Sequence, residues 1–144
     1  MASAPTNEGG ARRFPFLDHI GLVVREHEPG SSTCALTVAP FHFNSSGLVH
    51  GAVIFALADT GMGAALLATL EEGEMFATVE LQINYFKPVQ SGELMCTTQL
   101  VNRSRTLANL ESSIYLGESL VARANGNFAI FRRGQRAESN TGDS

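Results

Sequence analysis

The residue with the plainest claim to chemistry is Asp59, a carboxylate set in a stretch that is otherwise almost wholly apolar. From Leu48 to Leu70 run 23 residues with one formal charge, Asp59, and one histidine, His50. A carboxylate in such surroundings is costly unless it is hydrogen-bonded or paired. Buried acids are also over-represented at functional sites, because burial perturbs their pKa. A bond to a backbone group or to an Arg of the sheet would be the structural explanation. A second set of candidates lies upstream, spaced Asn44-x-x-Gly47-x-x-His50-Gly51. If a helix starts here, amide donors, an Asn side chain and a His gather at the positive end of its dipole, which stabilises developing negative charge. Gly51 would let a ligand approach the backbone closely. Donors aimed at a developing oxyanion are the usual machinery of acyl transfer. The same residues would also serve as a plain capping loop.

The elements that must position these groups can be read from periodicity. Leu48–Leu70 has neither Pro nor a period-two alternation and reads as one long helix, capped by Asn44, Ser45 or Ser46 and ended by Glu71-Glu72-Gly73. Its mid-segment acid and the absence of Lys or Arg flanks argue against a membrane span. A helix apolar all round is then a buried one, wrapped by the rest of the chain. Phe14 to Val38 reads as strand, turn, strand, with Ile20, Leu22 and Val24 alternating and Pro29-Gly30 turning. Met75–Phe86 alternates, with Ala77, Val79, Leu81, Ile83 and Tyr85 on one face and Thr78, Glu80, Gln82 and Asn84 on the other. Strands follow at Glu93–Asn102, Thr106–Tyr115 and Ser119–Phe131, joined by Arg103-Ser104-Arg105 and Gly117-Glu118. Short connections favour an antiparallel sheet, and the helix is its only available cover. The expected class is α+β: six antiparallel strands around one long helix, over residues 14–132, with a loose leader (1–13) and a polar tail (133–144).

Helix geometry then constrains the chemistry. His50 and Asp59 are nine residues apart, which at 100° and 1.5 Å per residue places them on opposite faces, roughly 13 Å apart along the axis. One helix cannot bring both to the same substrate atom. If they share a site, two copies of the chain must share it, and a two-fold axis would generate two identical sites.

Composition excludes other classes. In 144 residues, ten basic and fourteen acidic side chains give a net charge of −4, so bulk attraction to nucleic acid or anionic membrane is not the activity. The basic residues are nine Arg and one Lys, Lys87, and six of the Arg fall in the last third (103, 105, 123, 132, 133 and 136). Arg suits phosphate recognition, and it also serves as generic solvated charge. Cys34 and Cys96 form no paired motif and read as free, buried thiols of a reducing compartment. Arg12-Arg13-Phe14 mimics an export signal, but Asp18 and His19 interrupt the apolar run that should follow, so a cytoplasmic location is expected. His19, His27 and His42 lack ligand spacing and read as structural or surface residues. Neither a nucleophile elbow nor a Gly-rich phosphate loop is present.

The string Asn44-Ser-Ser-Gly47-Leu-Val-His50-Gly51-Ala-Val-Ile-Phe-Ala-Leu-Ala-Asp59, with Thr78-Val-Glu-Leu-Gln-Ile-Asn-Tyr85-Phe-Lys-Pro88, resembles the hotdog-fold acyl-CoA thioesterases of the phenylacetic-acid-degradation and thioesterase superfamily member 2 type. The resemblance implies a hotdog fold and hydrolysis of an aryl- or fatty-acyl-CoA without cofactor or metal. It assigns Asp59 as general base or nucleophile. It makes the Gly51 amide and Asn44 the holders of the thioester carbonyl or water, places His50 near the sulfur, and has Thr78 position the water. It also implies that Asp59 comes from the neighbouring subunit of a homodimer or of a tetramer built as a dimer of dimers. Coenzyme A carries phosphates, for which Arg103 and Arg105, in a turn, are the candidates. The chain departs from the pattern at Ala52, where the family carries a second Gly. That departure motivates one alternative, a non-catalytic acyl-CoA-binding module; a hydratase or dehydratase of the same fold, acting on acyl thioesters, is another.

Overall fold

The structure is a computed structural model and describes residues 14–134; the leader expected over 1–13 and all but the start of the expected tail lie outside the described residues. Six strands form one antiparallel sheet: β1 (Leu22–Glu28), β2 (Ser31–Thr37), β3 (Glu74–Tyr85), β4 (Glu93–Arg103), β5 (Leu107–Leu116) and β6 (Ser119–Arg132). They lie in the order β1-β2-β4-β5-β6-β3, so the strand that follows the long helix is carried to the far edge. The helix, α2 (Gly51–Leu67), packs against the sheet and touches all six strands. The expected α+β class and its single long helix are observed.

Three expectations are corrected. Residues 15–20 are not strand but a short helix, α1 (Pro15–Ile20), with Pro at its start and Gly21 closing it at φ 74°. Pro is pre-organised for a first helical position and Gly for a left-handed cap. The long helix is 17 residues rather than 23, and its N-cap is His50, not Asn44, Ser45 or Ser46. Val49 is held outside the helix by its bridge to Phe43 and its N–H bond to the Val89 carbonyl (2.8 Å). Finally, β3 does not keep one alternating face. A bulge between Thr78 and Glu80 breaks its register with β6. One extra residue there shifts the alternation, so Phe76 and Thr78 join the face that Leu81 and Ile83 occupy further on.

Helix α2 buries Ile54, Leu57, Ala58, Gly61, Met62, Ala65 and Leu66 against the sheet. Each of the larger side chains contributes roughly 1.5–3 kcal/mol by leaving water. Burial all round, however, is not what the protomer shows. Ala52, Phe55 and Leu67 are exposed, and Asp59 sits half-buried between them. The sheet covers one side of an apolar helix and leaves the other open.

Cys34 and Cys96 face each other directly across β2 and β4, both free and fully buried. Burial pushes the thiols up, Cys34 to about 12 and Cys96 to about 11. Thiolate is the reactive form, so neither should react with a thiol reagent at pH 8 until the protein unfolds. Titration of native and denatured protein checks this. The linkage sign follows: stability from keeping both thiols neutral is intact below pH 9 and declines as pH rises towards those values, because the unfolded thiols ionise first.

Candidate active site

The loop before α2 is built by its own polar side chains. Asn44 Oδ1 accepts from the N–H groups of Ser46 (2.9 Å) and Leu48 (3.1 Å), and Gly47 turns the chain at φ 75°. Behind the loop, buried His42 accepts at Nδ1 from the Ala39 N–H (2.9 Å), which leaves Nε2 to donate to the Ile20 carbonyl (2.6 Å). It anchors α1 to the loop, in keeping with a structural role.

At the helix start the donors divide unequally. A helix leaves its first N–H groups without intrahelical acceptors. Here the Ala52 N–H bonds His50 Nδ1 (2.9 Å) and the Val53 N–H bonds the His50 carbonyl (3.0 Å). Among the described residues, the Gly51 N–H is the one left open, at the positive end of the dipole. Because His50 Nδ1 accepts, its proton resides on Nε2, which is free to donate. The Ala52 amide thus serves the helix cap.

Tyr85 holds this turn from β3. Its hydroxyl donates to the Gly51 carbonyl (2.8 Å), and burial pushes that hydroxyl above the ordinary phenol range, keeping it a donor. A Cβ on Gly51 would lie 3.1 Å from the Tyr85 oxygen, so the ring packs where a side chain would stand. Gly51, Asn44, Ile54, Tyr85, Lys87 and Val89 line a cleft of about 300 Å³. Tyr85 and Lys87 were not singled out as site residues by the sequence reasoning. Lys87 is the chain's one Lys, and its Nζ donates to Ser119 Oγ (2.6 Å) at the cleft. Its uniqueness was the available signal.

Asp59 sits elsewhere. Thr78 Oγ1 donates to Asp59 Oδ1 (2.9 Å), a pairing that the β3 bulge makes possible. The acid is half-buried on the open side of α2, not sealed in the core. Since α2 begins only at Gly51, His50 is not on the helix and the opposite-face argument does not apply to it. The axial separation does: eight residues put Asp59 about 12 Å along the helix from Gly51. Thr78 and Tyr85, seven residues apart on β3, are separated by roughly 20 Å. Within one protomer the structure brings together Asp59 with Thr78, and Asn44 with His50 and Gly51, but does not join the two groups.

Arg103 and Arg105 occupy the β4–β5 turn region, as read from the sequence. Arg103 is already engaged, donating to Glu74 Oε1 (2.8 Å), Thr69 Oγ1 (3.2 Å) and the Ser104 carbonyl (3.1 Å). The Glu71 backbone N–H first, and then the Arg103 charge, hold the Glu74 carboxyl below its ordinary range. Arg105 is exposed.

A six-stranded antiparallel sheet packed on one long helix defines a hotdog-type protein. The sequence model of the thioesterase superfamily matches residues 46–123. Human acyl-coenzyme A thioesterase 13 is 34% identical over 100 residues, 68% of this chain and 69% of that protein. Among solved structures, a variant of the phenylacetic acid degradation protein PaaI from Thermus thermophilus superposes with a TM-score of 0.75 at 26% identity, covering 81% of this chain and 98% of that one. Conserved protein PA5202 from Pseudomonas aeruginosa gives 0.78 at 28% identity over 81% of this chain and 93% of that one. The chain belongs to the thioesterase superfamily and is a thioester hydrolase. No helix among the described residues is long and apolar enough to cross a membrane.

Proposed function

We propose that the protein is an acyl-coenzyme A thioesterase whose sites are each built by two protomers. Asp59 and Thr78 of one face Asn44, His50 and Gly51 of the other. The observation that carries this is the separation of two half-sites on an uncovered flank. That flank is lined by Ala52, Phe55 and Leu67 of the helix and bounded by edge strand β3, on which Met75 (39%), Val79 (65%) and Tyr85 (48%) are exposed. A monomer rarely leaves a long, apolar-decorated edge strand open. A second copy related by a two-fold axis would cover the flank and bring each Asp59 to its partner's helix start. The same logic extends to a tetramer built as a dimer of dimers.

In the reaction, the thioester carbonyl oxygen accepts from the Gly51 N–H, which holds the charge that develops there. Asp59, oriented by Thr78, takes a proton from water as the water attacks, or attacks the carbonyl itself to give an anhydride that a water then hydrolyses, freeing the acid and restoring the carboxylate. Collapse of the tetrahedral intermediate breaks the C–S bond, and the departing thiolate takes up the proton that Asp59 removed from the water, while His50 Nε2–H steadies the sulfur with a hydrogen bond. The fixed tautomer of His50 equips it for that bond. Lys87 at the cleft and Arg105 on its exposed turn are the cations we assign to the phosphates of the nucleotide, since Arg103 is engaged by Glu74.

An aryl- and fatty-acyl-CoA panel with colorimetric detection of released thiol tests the reading, alongside sedimentation of the same sample. Turnover of at least one panel member by a dimer or tetramer is expected. Silence across the panel, or full turnover by a monomer, overturns it. Recovery of tightly bound, intact acyl-CoA would favour a binding module instead.

A further inference from the structure

Beneath α2 the sheet carries a feature that the reaction above does not use. Ser32, Thr98 and Ser112 stand in register across β2, β4 and β5, and all three are buried, Thr98 and Ser112 completely. Ser112 Oγ donates to the Ala58 carbonyl (3.1 Å), and Ser32 Oγ donates to the Gly61 carbonyl (2.6 Å). The Gly30 backbone N–H donates to the Ala65 carbonyl (3.1 Å). Residues 58, 61 and 65 form one stripe of the helix, so three directional bonds tie a single face of α2 to the sheet. A hydroxyl has one proton to give. Ser112 gives its proton to Ala58, so Thr98 must donate to Ser112 Oγ (2.7 Å), and the Cys96 thiol is left to donate to Thr98 (3.8 Å). The result is a directed chain that ends on the carbonyl of the residue immediately before Asp59.

Such a row is not what burial alone would select, because apolar residues of similar size fill the same space without desolvating hydroxyls. What it supplies is direction. An amphipathic helix is oriented by its apolar stripe, but α2 is apolar on every side and carries little such information. Packing adds a close approach at Gly61, where a Cβ would meet Thr98 Oγ1 at 2.5 Å. That contact admits the hydroxyls to the helix carbonyls. Rotation of α2 by about 20° would carry the Asp59 carboxylate about 2 Å from its place beside Thr78, given a helix radius of about 5–6 Å.

We propose that the hydroxyl row sets the rotation of α2 and thereby aims Asp59, making Ser112, and Thr98 through it, positioning residues for thioester hydrolysis. The inference rests on Asp59 being the reacting acid. Ser112→Ala and Thr98→Val are assayed in the full chain, each with and without Asp59→Asn, at a temperature well below melting. Ser112→Ala should lower kcat about 10-fold, in keeping with the cost of a small misplacement, with KM within about twofold. Thr98→Val, which keeps shape but loses the hydroxyl, should lower kcat about threefold, and Thr98→Ser should restore it. In the Asp59→Asn background neither change should lower the residual rate further, whereas a general loosening of the fold would lower both backgrounds alike. The proposal is overturned if Ser112→Ala keeps kcat within twofold, or if it cuts the Asp59→Asn residue of activity by the same factor. Should Ser112→Ala not fold, an unchanged kcat in Thr98→Val overturns it equally. Full activity in Asp59→Asn alone would instead remove the reading of the site, and this inference with it.

Discussion

Asp59→Asn is expected to lower kcat for acyl-CoA hydrolysis by about 10³-fold, within the range that a general base contributes, and to leave KM nearly unchanged. The substitution is close to isosteric. The Asn carbonyl oxygen can still accept from Thr78 Oγ1, which lies 2.9 Å from the carboxylate. Side-chain position, helix packing and the β3 contact should therefore survive, and the melting temperature should move by no more than a few degrees. What is lost is basicity and nucleophilicity at one atom. A fall in kcat at constant KM marks a group that acts in the transition state rather than in substrate binding. A comparable fall from Thr78→Val would not carry the same meaning, since that change frees the carboxylate to rotate. The decisive measurement is the rate of thiol release by purified Asp59→Asn against wild type. A variant within tenfold of wild type would end the role assigned to the acid.

Much of the fold was legible because it rests on local periodicity. The strands from Glu93 to Arg132 are separated by the expected turns, and their observed bounds differ from the reading by a residue or so. The departures have physical causes that periodicity does not record. Helix α1 is a single short segment whose signals are its first Pro and its closing Gly, and beside Leu22 and Val24 they were outweighed by β-type residues. The start of α2 was placed too early because Val49 is apolar, yet its backbone is claimed by Phe43 and Val89. The β3 bulge is invisible to an alternating pattern, since an inserted residue leaves the string itself alternating and changes only which half faces the helix.

At the site, residue type was more informative than surroundings. Asp59, His50, Gly51 and Asn44 could be picked out by chemistry and spacing, while the premise that Asp59 is sealed in a core required knowing what covers α2. One chain's composition does not say which side of α2 the sheet leaves uncovered. His50 reads as a ligand-side donor, but its capping bond to the Ala52 N–H, which fixes the tautomer, depends on backbone angles at the helix start. Arg103 shows the opposite case. Its turn was placed correctly, and the Glu74 carboxylate that engages it lies 29 residues away on another strand.

The open amide offers the second large effect, through a substitution that removes one hydrogen and little else. Gly51→Pro deletes the N–H at the first position of a helix, where Pro is well tolerated because its fixed φ suits that turn. His50 already has extended angles (φ −60°, ψ 136°), which the residue before a proline prefers. The added ring meets the end of the Tyr85 side chain, 48% exposed and able to move aside. The variant should fold, and it should lose about 10²- to 10³-fold in kcat, the usual cost of one oxyanion donor. Together with Asp59→Asn it also tests where each half-site comes from. If the acid and the amide of one site belong to different protomers, a mixed dimer of the two dead variants holds one doubly damaged site and one intact site. Co-expression with random pairing makes half the dimers mixed, so activity should return to about a quarter of the wild-type level. If acid and amide instead meet within a single chain, no pairing can assemble an undamaged site, and the mixture should stay as inactive as its parts.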